Sequence, residues 1–246
     1  MFPIRDHNPS GRTPFVTYAL IAINVGVFLY TLDSAMNDRA LDALYAQYAL
    51  VPRFLTEGFG YGGLVTSMFL HGGLLHLAGN MLYLYIFGDN LEDAMGHLRF
   101  GLFYLAAGVL AGLVHYASAP LSMVPTVGAS GAVAGVMGGY LLLFPRARVD
   151  ILVILIVFFK VIPVPAWLTL ALWLGLQVWG GIGASPDEGG IAYWAHIGGF
   201  VAGMALALPT FRRLGGVRFW SRSHGLPPHP AAPYRSLTAI PKIRRR

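Results

Sequence analysis

Pro125-Thr-Val-Gly128-Ala129-Ser130-Gly131-Ala-Val-Ala-Gly135-Val-Met-Gly138-Gly139 opens an apolar segment that closes at Pro145 and sets a single serine among glycines and alanines. A helix starting near Val127 leaves its first backbone N–H groups unpaired and brings the positive end of its dipole beside Ser130. Such a position supplies donors for a developing oxyanion, and flanking Gly128 and Gly131 let backbone and substrate come close. The same letters have a second reading. Gly131-xxx-Gly135-xxx-Gly139 is also the small-xxx-small spacing by which helices pack in membranes, with Ser130 a bystander. The segment alone does not choose between them.

The surrounding chain narrows the choice. Of its 246 residues 56% are hydrophobic and only 11% charged. The apolar residues fall in long charge-free blocks, which is the composition of a polytopic membrane protein rather than of a water-soluble domain. The length allows one domain. With no cysteine there is no disulfide framework, no thiolate chemistry and no cysteine-based metal site. The net charge of +6 invites a nucleic-acid reading, but the excess sits at the two ends of the chain, where in a membrane protein it sets topology; no nucleic-acid partner is expected.

Working outward from Ser130, the apolar blocks give six expected spans: 14–32, 65–87, 100–116, about 127–144, 166–182 and 191–208. The fourth stops before Pro145, because the residue preceding a proline is pushed out of helix geometry. Residues 1–13 form a short polar segment, and 14–209 the membrane domain. Residues 210–246, rich in Pro, Arg and His and free of acids, read as a basic disordered tail. Leu41, Leu44, Tyr45 and Tyr48 recur at helical spacing in the 33–64 loop and predict a short amphipathic helix at the interface. Asp89 to Arg99 reads as a charged turn. The nine apolar residues Ile151–Phe159 are too few to span, so 146–165 is read as a connecting or interfacial segment.

Arginine and lysine positions orient these spans. With both termini inside, that side holds Arg5, Arg12, Arg99, Arg146, Arg148, Lys160 and the tail, and the other side only Arg39 and Arg53. Spans two, four and six then run inward, and their N-terminal ends meet near the outer face. Those ends carry His71, His76 and Asn80 (the last two on one face), then Ser130, then His196. Ser130 and His196 fall about 5–8 Å below the boundary at 1.5 Å per residue. One histidine in a span is ordinarily a hydrogen-bonded structural residue; several polar groups at one depth point to a site. Gly199-xxx-Gly203 in span six matches the glycines of span four and would bring His196 to Ser130 at close helix separation.

Absences sharpen the chemistry. No Asp or Glu falls inside any expected span. That removes an aspartyl dyad and weighs against a proton-coupled transporter. A three-histidine metal site from His71, His76 and His196 stays conceivable, without carboxylates to orient its ligands. The remaining chemistry is a serine nucleophile with a histidine base and no acidic third member.

Gly128-Ala-Ser-Gly131, Ala195-His196-Ile-Gly-Gly199 and His71-x4-His76-x3-Asn80 resemble the signature motifs of the rhomboid intramembrane serine proteases. The resemblance runs on through Leu91-Glu92-Asp93 and Gly96-His97-x-Arg99-Phe100 and covers roughly residues 10–210. It implies an all-α, six-helix membrane bundle with an interfacial first outer loop. It also implies Ser130 as nucleophile, His196 as base, and His76, Asn80 and the Ser130 N–H as oxyanion hole. His71, Gly128, Gly131 and Gly199 would support the site. Implied partners are single-span membrane protein substrates and the lipid bilayer, with no cofactor and no metal; oligomeric state is left open, and the family style suggests a bacterial inner membrane. Two positions depart from the pattern. Some members carry an aromatic ring four residues after the serine, stacked on the base, where this chain has Ala134, so another residue must orient the imidazole. A Trp-Arg pair found in the first outer loop of some members is missing from 33–64. The rival reading is a catalytically silent protein on the same scaffold that binds transmembrane clients; both Ser130 and His196 being present weighs against it.

Overall fold

A fourteen-residue helix, α7 (Ser130–Leu143), is the element the others enclose: every residue from Gly131 to Tyr140 is buried. A helix surrounded on all sides has no polar face to show, and its sequence accordingly has no amphipathic period. The computed structural model of the protein describes residues 2–8, 10–155, 158–185 and 189–227. In chain order its elements are β1 (Phe2–Asp6), α1 (Phe15–Ala35), α2 (Asp38–Tyr48), α3 (Pro52–Thr56), α4 (Gly63–Thr66), a 3-10 turn (Ser67–Phe69), α5 (Leu74–Met95), α6 (His97–Ser118), α7, β2 (Arg148–Leu155), β3 (Phe158–Pro165), α8 (Ala166–Gly183), α9 (Tyr193–Leu214) and α10 (Val217–Ser223).

Glycine spacing sets how closely α7 and α9 lie. A Cβ on Gly199 would run into the carbonyl oxygen of Gly131, one on Gly203 into that of Gly135, and one on Gly138 into that of Phe200. At the same glycines α7 also meets α6 through Ala107 and Ala111, whose methyl groups fill the space beside Gly135 and Gly131. Small residues thus let three backbones approach closely, as membrane helices do where dispersion contacts replace the hydrophobic effect. Among the described residues four helices are long and apolar enough to cross a membrane: α1, α6, α8 and α9. Helix α7 is about 21 Å long at 1.5 Å per residue, and α5 carries acids in its last turns.

The second expected span starts later than its apolar run does. Residues 65–73 pass through α4, the 3-10 turn and a non-helical stretch containing His71 before α5 begins at Leu74. The chain is held there by another partner: the Gly128 N–H donates to the Ser67 carbonyl at 2.9 Å. The Gly72-Gly73 pair makes continuing the helix costly in backbone entropy. At its other end α5 runs through the expected charged turn to Met95, so Asp89, Glu92 and Asp93 are helical. Glu92 is 1% exposed and accepts the Val16 N–H at 2.8 Å and both the N–H and hydroxyl of Thr17 at 2.7 Å. It caps the N-terminus of α1 from a distant helix, satisfying donors that a helix start leaves free.

The chain is mostly helical but not all-α. Residues read as a connector form two strands of a three-stranded antiparallel sheet in the order β1-β2-β3. Strand β2 pairs β3 from Arg148 with Pro165 to Leu155 with Phe158, and β1 pairs β2 from Phe2 with Leu152 to Asp6 with Val149. Val149, Ile151 and Val153 put one face of β2 into the core, as the period-2 alternation of a strand allows, while Asp150 between them is buried under its partners Arg5 and His7. Pro3, Pro163 and Pro165 all lie on the two edge strands, where a missing N–H costs no ladder bond. Arg5 and His7 bond the two carboxylate oxygens of Asp150 at 2.7 and 2.6 Å and fasten β1 to β2.

Order also extends past residue 209. Helix α9 continues through Pro209 to Leu214, and α10 folds back: Trp220 Nε1 donates to the Leu142 carbonyl at 3.0 Å and Arg213 to that of Ala94 at 2.7 Å. The rest of the expected tail, 228–246, lies outside the described residues, as do 186–188 of the 183–190 loop. In the 33–64 loop the expected amphipathic helix is present as α2, capped by the Asn37 side chain on the N–H groups of Arg39 and Ala40.

Candidate active site

Ser130 is the first residue of α7, which starts three residues later than the expected Val127, and His196 is the fourth of α9. The turn before the serine depends on Gly128, whose φ of +127° is a conformation that L side chains rarely adopt. Space demands glycine there as well, because a Cβ would stand 2.7 Å from Cε1 and Nε2 of His76. The Ala129 N–H points at His71 Nε2 from 3.5 Å, and no side chain caps the start of α7. The first N–H groups of that helix therefore stay available to a ligand.

Close packing of α7 on α9 then brings Ser130 Oγ to 2.8 Å from His196 Nε2. His196 Nδ1 lies 2.8 Å from Gln177 Oε1 on α8. The indole of Trp173, one turn earlier on α8, lies 5.8 Å from the imidazole with 33° between the planes. These groups share a hollow of about 660 Å³ with His76, His115 and Thr126. His115 Nε2 and Thr126 Oγ1 are 2.8 Å apart in its wall.

The remaining expected site residues separate. His76 lines the hollow, its ring edge-on to that of His71 with centroids 5.1 Å apart. Asn80 is buried and its amide donates to the His76 carbonyl of its own helix at 3.1 Å. His71 is buried behind the serine turn and precedes α5 instead of riding on it. Gly131 and Gly199 face each other in the α7–α9 seam. Ala134 is fully buried. Sequence reasoning passed over Gln177, Trp173, His115 and Thr126. Gln177 had a signal: it is the single amide side chain in the apolar run Ala166–Gly183, and a polar group at such depth calls for a partner.

A family model described as the rhomboid domain matches residues 59–213. The chain belongs to the rhomboid family. This rhomboid chain is 34% identical over 197 residues to Rhomboid protein 1, mitochondrial, of Saccharomyces cerevisiae, covering 77% of the chain and 51% of that protein. It is 32% identical over 204 residues to Rhomboid protease GluP of Bacillus subtilis, covering 80% and 36%. Rhomboid-related protein 2 of Mus musculus is 34% identical over 148 residues, covering 60% and 47%. The chain thus spans about half, or less, of the length of these curated relatives. One carries a mitochondrial name and another is bacterial, so membership in the rhomboid family does not select the bacterial inner membrane expected above.

Proposed function

We propose that the chain is an intramembrane serine endopeptidase that cuts the transmembrane segments of single-span membrane proteins, with Ser130 as nucleophile and His196 as base. The observation that carries this reading is the 2.8 Å contact between Ser130 Oγ and His196 Nε2 at the open start of α7. The name of the Bacillus subtilis relative, a rhomboid protease, supports it. In this reading neutral His196 takes the hydroxyl proton as Ser130 Oγ attacks the peptide carbonyl. The Ser130 N–H and the His76 ring receive the negative charge that develops on the carbonyl oxygen, with Asn80 as a further donor. His196 then gives its proton to the leaving amine, and water releases the acyl group by the same route in reverse. A peptide bond inside a helix is shielded by its own hydrogen bonds, so the substrate must unwind before it reaches Ser130.

The bundle is proposed to cross the membrane six times, α5 and α7 joining α1, α6, α8 and α9, with both termini on the side richer in Lys and Arg. Lipid bilayer and single-span substrates are the partners. The test is incubation of the purified protein with a model single-span substrate, mass spectrometry of the products, and labelling by a fluorophosphonate. Cleavage and labelling that both vanish in Ser130→Ala are expected. Client binding without cleavage or labelling in the unaltered protein would replace this reading by the silent-scaffold one.

A further inference from the structure

The proposed base needs an orienting partner, and neither Ala134 nor any carboxylate among the described residues supplies one. For Nε2 of a neutral imidazole to accept the Ser130 proton, the single ring proton must sit on Nδ1. Gln177 faces that atom, and an amide can present either end to it. Its oxygen would hold the proton on Nδ1, whereas its NH2 would donate to Nδ1 and move the proton to Nε2, leaving no base. The second contact of the amide decides the orientation. Gln177 Nε2 donates to the Trp173 carbonyl one turn back, at 3.4 Å, which leaves Oε1 for His196 at 2.8 Å. One turn of α8 therefore offers both the acceptor for Nδ1 and, in Trp173, the ring beside the imidazole.

Resting on the proposed dyad, we propose that Gln177 is the positioning residue that holds His196 in its Nδ1–H tautomer, aimed at Ser130. The acceptor rides on a different support from the groups it serves. Ser130 and His196 stand on α7 and α9, which meet backbone to backbone at their glycines. Helix α8 buries only Ala166, Leu170 and Gly181, far fewer residues than α9, and leaves Leu172, Leu176 and Trp179 exposed. A shift of α8 away from α9 breaks the Gln177 contact while the α7–α9 seam keeps its place. The tautomer, and with it the base, thus depends on where α8 is seated.

Two measurements on the full chain in detergent micelles test this. Gln177→Met keeps length and removes the acceptor; Gln177→Glu keeps an oxygen at the same reach; Gln177→Leu serves as a second acceptor-free variant should the first fold poorly. The Met variant is expected to lower kcat by about 10–100-fold with KM within about twofold, and the Glu variant to recover most of that loss. Histidine-selective 15N NMR, with the His196 signal assigned by its loss in His196→Asn, reads the tautomer without any turnover. Nδ1–H is expected in the unaltered protein and in Gln177→Glu, and a mixture in Gln177→Met and Gln177→Leu. An active parent whose acceptor-free variants keep kcat and tautomer, or whose loss falls on KM alone, would overturn the inference and leave the protease reading standing. A parent that neither cleaves nor labels overturns both.

Discussion

Ser130 owes its setting to the residue two places before it. Gly128 turns the chain at positive φ and leaves room for the His76 ring, so that the serine, the ring and the unpaired N–H groups of α7 share one corner of the hollow. If Ser130 and His196 act as one unit, Ser130→Ala, His196→Ala and the double variant should all lose cleavage to the same floor, without additivity. A double variant markedly worse than either single one, in rates of product formation, would mean that the two residues act separately. The proposed oxyanion donors should differ. His76 lines the hollow, whereas the Asn80 amide already donates to the His76 carbonyl. His76→Ala is therefore expected to lower kcat by about 10²–10³-fold, and Asn80→Ala by less. Steady-state kinetics on one substrate decide this, and equal losses would show that Asn80 turns into the hollow during reaction.

At the scale of elements, what stands out is a helix capped by another helix. The first turn of α1 has no side-chain cap of its own; Glu92 of α5 supplies three hydrogen bonds to it and a fourth contact to His97. Glu92→Gln keeps the shape and loses the charge that strengthens these bonds, and should cost about 1.5–3 kcal/mol of stability. Thermal unfolding in detergent measures it; an unchanged Tm would reduce Glu92 to a packing residue. Nothing in the local sequence announces this cap. The Glu92 motif is visible, but its partner lies 75 residues earlier in the chain. Helix α2, by contrast, is legible down to its Asn37 cap, because a cap and an amphipathic stripe are both written within a few residues.

Across the whole molecule, the sheet lies at the far end of α7 from Ser130. Tyr140, about 15 Å along the helix from Ser130, donates to Asp6 of β1 at 3.0 Å, and Asn90 donates to the same oxygen at 3.0 Å. Burial, then the nearby Asp89 charge, pushes Asp6 up to about 7, outweighing the hydrogen bonds from Tyr140 and Asn8. The folded form therefore holds a proton that the undocked strand releases near the ordinary carboxylate value. Docking of β1 is strongest below about pH 4, weakens as pH rises to about 7 by at most roughly 1.4 kcal/mol per unit, and levels off above. A fluorine tag on Ile4→Cys, clean in a cysteine-free chain, should show an undocked 19F signal growing from pH 5 to 8. Asp6→Asn should remove that growth, and the same pH response in Asp6→Asn would place its origin elsewhere. Sidedness is tested on the same background. Ser130→Cys should react with an impermeant thiol reagent from outside, and Ser221→Cys on α10 only after permeabilisation; the reverse pattern would invert the proposed topology.

The sequence by itself determined what depends on near neighbours along the chain. Apolar blocks with their bounding prolines located α1, α6, α8 and most of α9, and glycines four apart marked the seam by which α7 meets α9. The cluster of polar residues at helix starts singled out Ser130 and His196, which the fold brings to 2.8 Å. Tertiary structure alone decided what depends on distant partners. Residues 67–73 leave α-helix geometry where the Ser67 carbonyl takes the Gly128 N–H, and β1, over 140 residues away, adds the third strand to the β2–β3 hairpin. Gln177 meets His196 only once α8 is laid against α9. Periodicity and small-residue spacing record which face of a segment will be buried, whereas the partner that buries it is chosen by the packing of the whole chain.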